Sequence, residues 1–198
     1  LAMDRGTTVY FHQQVLPMLP KNISSEAGSL WPHAKKAVLL CEMHVAHDGT
    51  LSNVSIQEAW ISSKAKLDYP QVTQVVTVGA STGDTAIDAQ LHTLHQMYQA
   101  LLARRLQRGG VPIRSGDYTL SLDVQWKPWQ LSYGLVEECM LAANTGVAQW
   151  MKERNLTGLY RHHRGPDENH WAENALPYLR HLGLDDASDN TPHHLQHL

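Results

Sequence analysis

Cysteine is scarce in this chain. Cys41 and Cys139 are the only two in 198 residues, each in an apolar run and far from the other. This excludes a disulfide framework and fits buried reduced thiols, so a cytosolic location is the expectation. No window has the apolar length of a membrane span, and the first residues lack a basic flank followed by an apolar core, so no membrane role is expected. A basic excess is missing too: 16 Lys and Arg against 19 Asp and Glu leave a formal charge of -3. The sum therefore gives no nucleic-acid signature. The cations nevertheless cluster, as Lys35-Lys36, Lys64 with Lys66, Arg104-Arg105 with Arg108, and Arg161 with Arg164, which allows a local positive groove. Thirteen histidines invite a metal reading, yet no Cys/His set has zinc spacing. Nor is there a dense aspartate cluster: Asp48, Asp68, Asp84, Asp88, Asp117, Asp123 and Asp185-Asp186 are scattered.

What is present is enough apolar content, 42% of residues, for one sizeable core. After an irregular, proline-marked first thirty residues, Ala37 to Val45 and Leu51 to Ile61 read as extended runs. The intervening His47-Asp48-Gly49-Thr50 marks a hairpin. Ile87, Leu91, Leu94, Tyr98, Leu101, Leu102 and Leu106 advance by threes and fours, predicting a helix from Asp84 to Arg108 with Gly109 as its stop. Tyr118, Leu120, Leu122, Val124 and Trp126 alternate with polar residues, predicting one strand ended by Lys127-Pro128. A further helix is expected from Pro166 or Asp167 to Leu182, closed by Gly183. The order of elements gives α+β, or mixed α/β, as the class.

Leu135-Val136-Glu137-Glu138-Cys139-Met140-Leu141-Ala142-Ala143-Asn144 is strongly helical. At about 3.6 residues per turn, Glu137, Leu141, Asn144, Ala148 and Met151 share one face. A carboxylate and an amide on an apolar face need partners, either a salt bridge to a neighbouring loop and a backbone hydrogen bond, or a polar ligand.

This stretch resembles the LIEE-M-LAN helix of the RNB exoribonuclease family, which includes ribonuclease II and ribonuclease R. The likeness continues in order along the chain. Arg5-Gly6-Thr7-Thr8-Val9-Tyr10-Phe11 and Val15-Leu16-Pro17-Met18-Leu19-Pro20 are similar to RG-S-VY and IPMLP. Ser29-Leu30-Trp31-Pro32 and Cys41-Glu42-Met43 are similar to SL-P and CEM. Glu58-Ala59 through Tyr69 resembles an EA-I-S-A-L-Y strand and turn, Arg108-Gly109-Gly110-Val111-Pro112-Ile113 resembles RGG-I-F, and Gly158-Leu159-Tyr160-Arg161-His162-His163 with Pro166 resembles LYR-H-P.

The resemblance implies a partial RNB catalytic domain, antiparallel strands packed by long helices. It implies a processive 3′-to-5′ exoribonuclease that hydrolyses single-stranded RNA to nucleoside 5′-monophosphates with Mg2+. Residues 1–198 would be a central segment truncated at both ends. The ends agree, with no initiator methionine and a closing Thr191-Pro192 that starts a helix cut off after one turn. The family's aspartate cluster, cold-shock and S1 domains would lie outside, so no catalytic or metal residue is assigned and the segment alone is expected to be inactive. The partners expected are single-stranded RNA and the remaining parts of the protein, with a monomeric state.

The same likeness implies RNA contacts. Tyr10 falls on the family's stacking tyrosine, otherwise a core or interface tyrosine. Tyr69 and Glu137 match positions that contact the sugar near the 3′ end, where a carboxylate accepts from and a tyrosine donates to the 2′-hydroxyl; without RNA, Tyr69 would be a strand-end tyrosine beside Pro70. Ile113 stands where the family usually has a phenylalanine over the terminal base, and offers apolar contact without a π-face. Tyr133 stands where relatives often have histidine. Two alternatives from other classes are a catalytically dead RNA-binding pseudo-enzyme and a structural module in which the polar helix is merely core.

Overall fold

The computed structural model describes residues 1–11, 14–110, 117–120, 124–127, 130–160, 171, 173 and 176–181. A one-turn helix α1 (Ala2–Arg5) leads into a small hairpin of β1 (Val9–Tyr10) and β2 (Val15–Leu16), with Val9 opposite Leu16 and Tyr10 opposite Val15. A wide helical turn at Asn22–Ala27 precedes the long hairpin of β3 (Lys35–Val45) and β4 (Leu51–Ser62). Then come α2 (Tyr69–Val78), α3 (Thr85–Gln107), β5 (Asp117–Leu120), β6 (Val124–Lys127), α4 (Leu131–Glu153) and α5 (Leu176–His181). The class is α+β, with each described sheet a two-stranded antiparallel pair.

The Asp-Gly hairpin forms as the sequence predicts. Asp48 accepts from Thr50 N at 2.9 Å and from Thr50 Oγ1 at 2.8 Å, closing an Asx turn. Gly49 is required twice over: its φ is +77°, and a Cβ there would lie 2.4 Å from the Ala100 carbonyl oxygen. The hairpin tip thus sits directly on the α3 backbone. On α4, Gly146 faces the same hairpin, where a Cβ would meet Met43 Cε and both Val54 methyls at 3.4 Å, an ordinary van der Waals distance.

α3 keeps nearly its expected bounds. Asp84 caps it, accepting from Ala86 N at 2.8 Å and Ile87 N at 3.3 Å. Its end is a Schellman closure: Gly109, at φ +85°, donates to the Leu106 carbonyl, and Gly110 N donates to the Arg105 carbonyl, both at 2.9 Å. The core lies where three helices meet, with Val75 of α2, Leu91, Tyr98 and Leu101 of α3, and Leu135 and Ala142 of α4 buried. Burying one such leucine contributes about 1.5–3 kcal/mol.

Three expectations are corrected. The single strand through Tyr118 and Trp126 is instead the hairpin β5–β6, with Tyr118 opposite Trp126 and Leu120 opposite Val124. Alternation with period two cannot separate these cases, because an odd-length link keeps both arms in phase. Tyr69 does not end a strand; it opens α2. The signal was Asp68-Tyr69-Pro70: Asp68 caps, accepting from Gln71 N at 2.8 Å, and Pro70 occupies the first turn. The buried polar face of α4 is also different. Glu138 and Ser132 are buried beside Leu135 and Ala142, while Asn144 is exposed. Of the expected helix up to Leu182, Leu176–His181 is helical and most of the rest lies outside the described residues.

Candidate nucleic-acid interface

The amino ends of α2 and α4 are tied together by hydroxyls. Gln130, the cap of α4, makes no side-chain capping bond, and its place is taken across the helix boundary by Thr73, whose Oγ1 accepts from Ser132 N at 3.4 Å. Ser132 Oγ donates to the Tyr69 carbonyl at 2.9 Å and also lies 2.9 Å from Thr73 Oγ1. With the serine proton committed to Tyr69, the threonine hydroxyl donates to Ser132 Oγ. Ser132 is 2% exposed, so this short chain of bonds is shielded from water and fixes where Tyr69 stands.

Tyr69 in turn packs edge-on against Tyr133, with ring centroids 4.5 Å apart and planes at 67°. The residue that departs from the family's usual histidine is therefore the neighbour of a matched site residue. Tyr133 and Glu137 are one turn apart on α4 and share its face. Tyr69 is 44% exposed and the Glu137 side chain 38% exposed, so both reach solvent.

Glu137 is met from α3 by Arg105, whose side chain is 14% exposed. Its Nη1 donates to Glu137 Oε1 at 3.0 Å, while Nη2 lies 2.8 Å from Glu138 Oε1. The first contact is a hydrogen bond. The second is an ion pair, and Glu138 Oε1 and Arg105 Nε are buried without a geometrically aligned hydrogen-bond partner among the described residues. Burial pushes the Glu138 carboxyl above its ordinary range; Arg105 pulls it down and Glu137 pushes it up again. The salt bridge expected for Glu137 is thus made, to a helix rather than a loop.

Sequence reasoning missed Arg105 and Glu138, although a signal existed. Leu91, Leu94, Tyr98 and Leu101 step along the inner stripe of α3, and the next position is Arg105. On α4, Leu135 and Ala142 flank Glu138 in the same way. Opposite charges at core positions of two helices are candidates for pairing.

The other matched residues lie elsewhere. Tyr10 is 77% exposed on the β1–β2 hairpin, braced by an Arg5 guanidinium bond to the Pro17 carbonyl and by Met18 N donating to Thr8 Oγ1 at 3.1 Å. Ile113 lies outside the described residues. Of the basic clusters, Arg104, Arg105 and Arg108 line a cleft of about 190 Å3 with Glu138. Lys35 stands over the Trp60 ring and Lys66 over Trp31, each 5.3 Å from the ring centre. Arg161 and Arg164 lie outside the described residues.

Among the described residues no three His, Cys, Asp or Glu side chains come together as metal ligands. They do not fit a divalent-metal centre, and no hydrolytic step is assigned to them. Among the described residues no helix is long and apolar enough to cross a membrane.

Comparison with known proteins gives a consistent family. The RNB domain family matches residues 1–194. Ribonuclease R of Vibrio cholerae is 32% identical over 193 residues, covering 93% of this chain and 23% of the relative. Among solved structures, the apo form of Mycoplasma genitalium RNase R superposes with a TM-score of 0.89 at 20% identity, covering 99% of this chain and 32% of that one. Yeast Ssd1, described as a pseudonuclease, superposes with a TM-score of 0.66 at 18% identity, covering 93% of this chain and 23% of that one. The chain spans about a quarter of the length of the curated ribonuclease R relatives it matches.

Proposed function

The chain belongs to the RNB domain family, and on that premise we propose that it is a central segment of the catalytic domain of a 3′-to-5′ exoribonuclease that degrades single-stranded RNA. The observation that carries the reading is that Tyr69 packs on Tyr133, which stands one helical turn before Glu137 on α4. A phenol and a carboxylate suit a ribose, whose 2′-hydroxyl both donates and accepts. In this reading Tyr69 and Glu137 grip the sugar near the 3′ end. Tyr10 stacks on a base at a separate point, and Ile113 gives apolar contact to the terminal base.

In this reading the magnesium ligands of such an enzyme lie outside this segment. The segment alone is inactive, a monomer that works within the remainder of its protein. Free thiols at Cys41 and Cys139 support a reducing, cytosolic setting; burial pushes the Cys139 thiol up, which makes it a poor nucleophile.

Incubating a 5′-labelled oligoribonucleotide with magnesium and either this chain or the full-length protein tests the reading. Stepwise 3′ shortening by the full-length protein alone is expected. RNA bound by both without shortening would replace the enzyme with an RNA-binding pseudo-enzyme, the reading to which the likeness to Ssd1 lends support. Absence of binding in both would leave a structural module.

A further inference from the structure

We propose that Arg105 is the positioning residue for ribose recognition: its guanidinium spans Glu137 and Glu138, with Glu138 as the buried anchor that aims Glu137 at the sugar. The inference rests on the proposed contact between Glu137 and the 2′-hydroxyl. Glu137 sits on a helix surface with 38% of its side chain exposed, and an unrestrained glutamate there would sample several rotamers. The bond from Arg105 Nη1 at 3.0 Å removes that freedom.

Arg105 is itself held from three sides. Glu138, its side chain 4% exposed, lies 2.8 Å from Nη2 and supplies a charge that cannot turn to solvent. The Arg105 carbonyl accepts the closing bond from Gly110 N. A Cβ on Gly110 would lie 2.5 Å from Arg105 Cγ and 3.0 Å from its carbonyl oxygen. The second glycine of the Arg108-Gly109-Gly110 element is therefore the space through which the arginine stem passes. That element ends α3 and also packs the residue that aims Glu137. A planar fork can bridge two carboxylates presented by successive residues; a lysine ammonium is a point charge and holds them less directionally.

The test compares binding of a single-stranded RNA and a DNA of the same sequence to the full-length protein, by fluorescence anisotropy in EDTA to prevent turnover. Arg105→Lys is expected to lower the RNA-to-DNA affinity ratio about tenfold, the loss of roughly one charge-assisted hydrogen bond. Gly110→Ala, which removes no charge, should lower it in the same direction. A purely structural role would weaken RNA and DNA equally and leave the ratio unchanged, overturning the inference. Glu137→Ala separates the two levels. If it leaves the ratio unchanged, the underlying sugar contact fails; if it lowers the ratio while Arg105→Lys does not, only the positioning role fails. Combined with Glu137→Ala, Arg105→Lys should lower the ratio no further, and additive losses would place Arg105 on a separate contact.

Discussion

The junction of α2, α3 and α4 encloses Val75, Leu101, Leu135, Ser132 and Glu138, whereas the β1–β2 hairpin leaves Val9, Tyr10, Val15 and Leu16 all more than two-fifths exposed. Both regions carry residues matched to RNA contacts in the family. At the junction the site residues are held by partners that the chain itself supplies: Ser132 and Thr73 for Tyr69, and Arg105 for Glu137. On the hairpin, Tyr10 is carried by a two-residue strand with one neighbour. The first region couples site geometry to stability, and the second separates them.

That contrast is broken most directly at Glu138. Replacing it with Ala removes the buried half of the pair, leaving Arg105 with Glu137 as its carboxylate, and should cost about 2–4 kcal/mol in denaturant unfolding. A loss below about 1 kcal/mol would mean that the pair is not insulated from water. Ser132→Ala comes next. It leaves the Tyr69 carbonyl and Thr73 hydroxyl without their buried partner, and about 1–3 kcal/mol of stability should go with it.

Tyr10→Ala sharpens the other side. Stability should stay within about 0.5 kcal/mol of the parent, while single-stranded RNA affinity of the full-length protein falls by about 1–3 kcal/mol, the range for one stacked base. Loss of fold with that variant would show the hairpin to be structurally coupled after all.

The smallest effect is read in pH. The Glu138 carboxyl is raised in the folded chain by burial, so its contribution is fully present below the ordinary glutamate range and is lost as pH rises through the raised value. Exposed Asp88 is the opposite: hydrogen bonds from Ser81 and Thr82 hold its carboxyl below the ordinary range. Its contribution is present above that range and lost as pH falls through the lowered value. Urea unfolding across acidic to neutral pH should therefore give opposite slopes when the parent is compared with Glu138→Gln and with Asp88→Asn. Slopes of one sign would remove the distinction between a buried and a hydrogen-bonded carboxylate.

Much of this chain is legible locally. The Asp48-Gly49 turn, the α3 register from Asp84 to its Gly109 stop, and the family likeness could all be read from residues near one another. The α2 start at Asp68-Tyr69-Pro70 was equally local but hidden behind the strand that precedes it. For β5–β6, periodicity carried the correct phase and the wrong topology, because alternation records which side a residue faces and not where the chain reverses.

The sequence by itself determined the class, the Asp48-Gly49 turn, the bounds of α3 and the family, since these depend on residue type and short spacing. Only the tertiary structure decided which of two successive glutamates is buried, that Tyr133 meets Tyr69, and that Arg105 reaches both Glu137 and Glu138. Those outcomes depend on how α3 and α4 rotate against each other. That rotation is set by packing across the helix junction, with the close approach at Gly49, and sequence spacing along a single helix does not encode it.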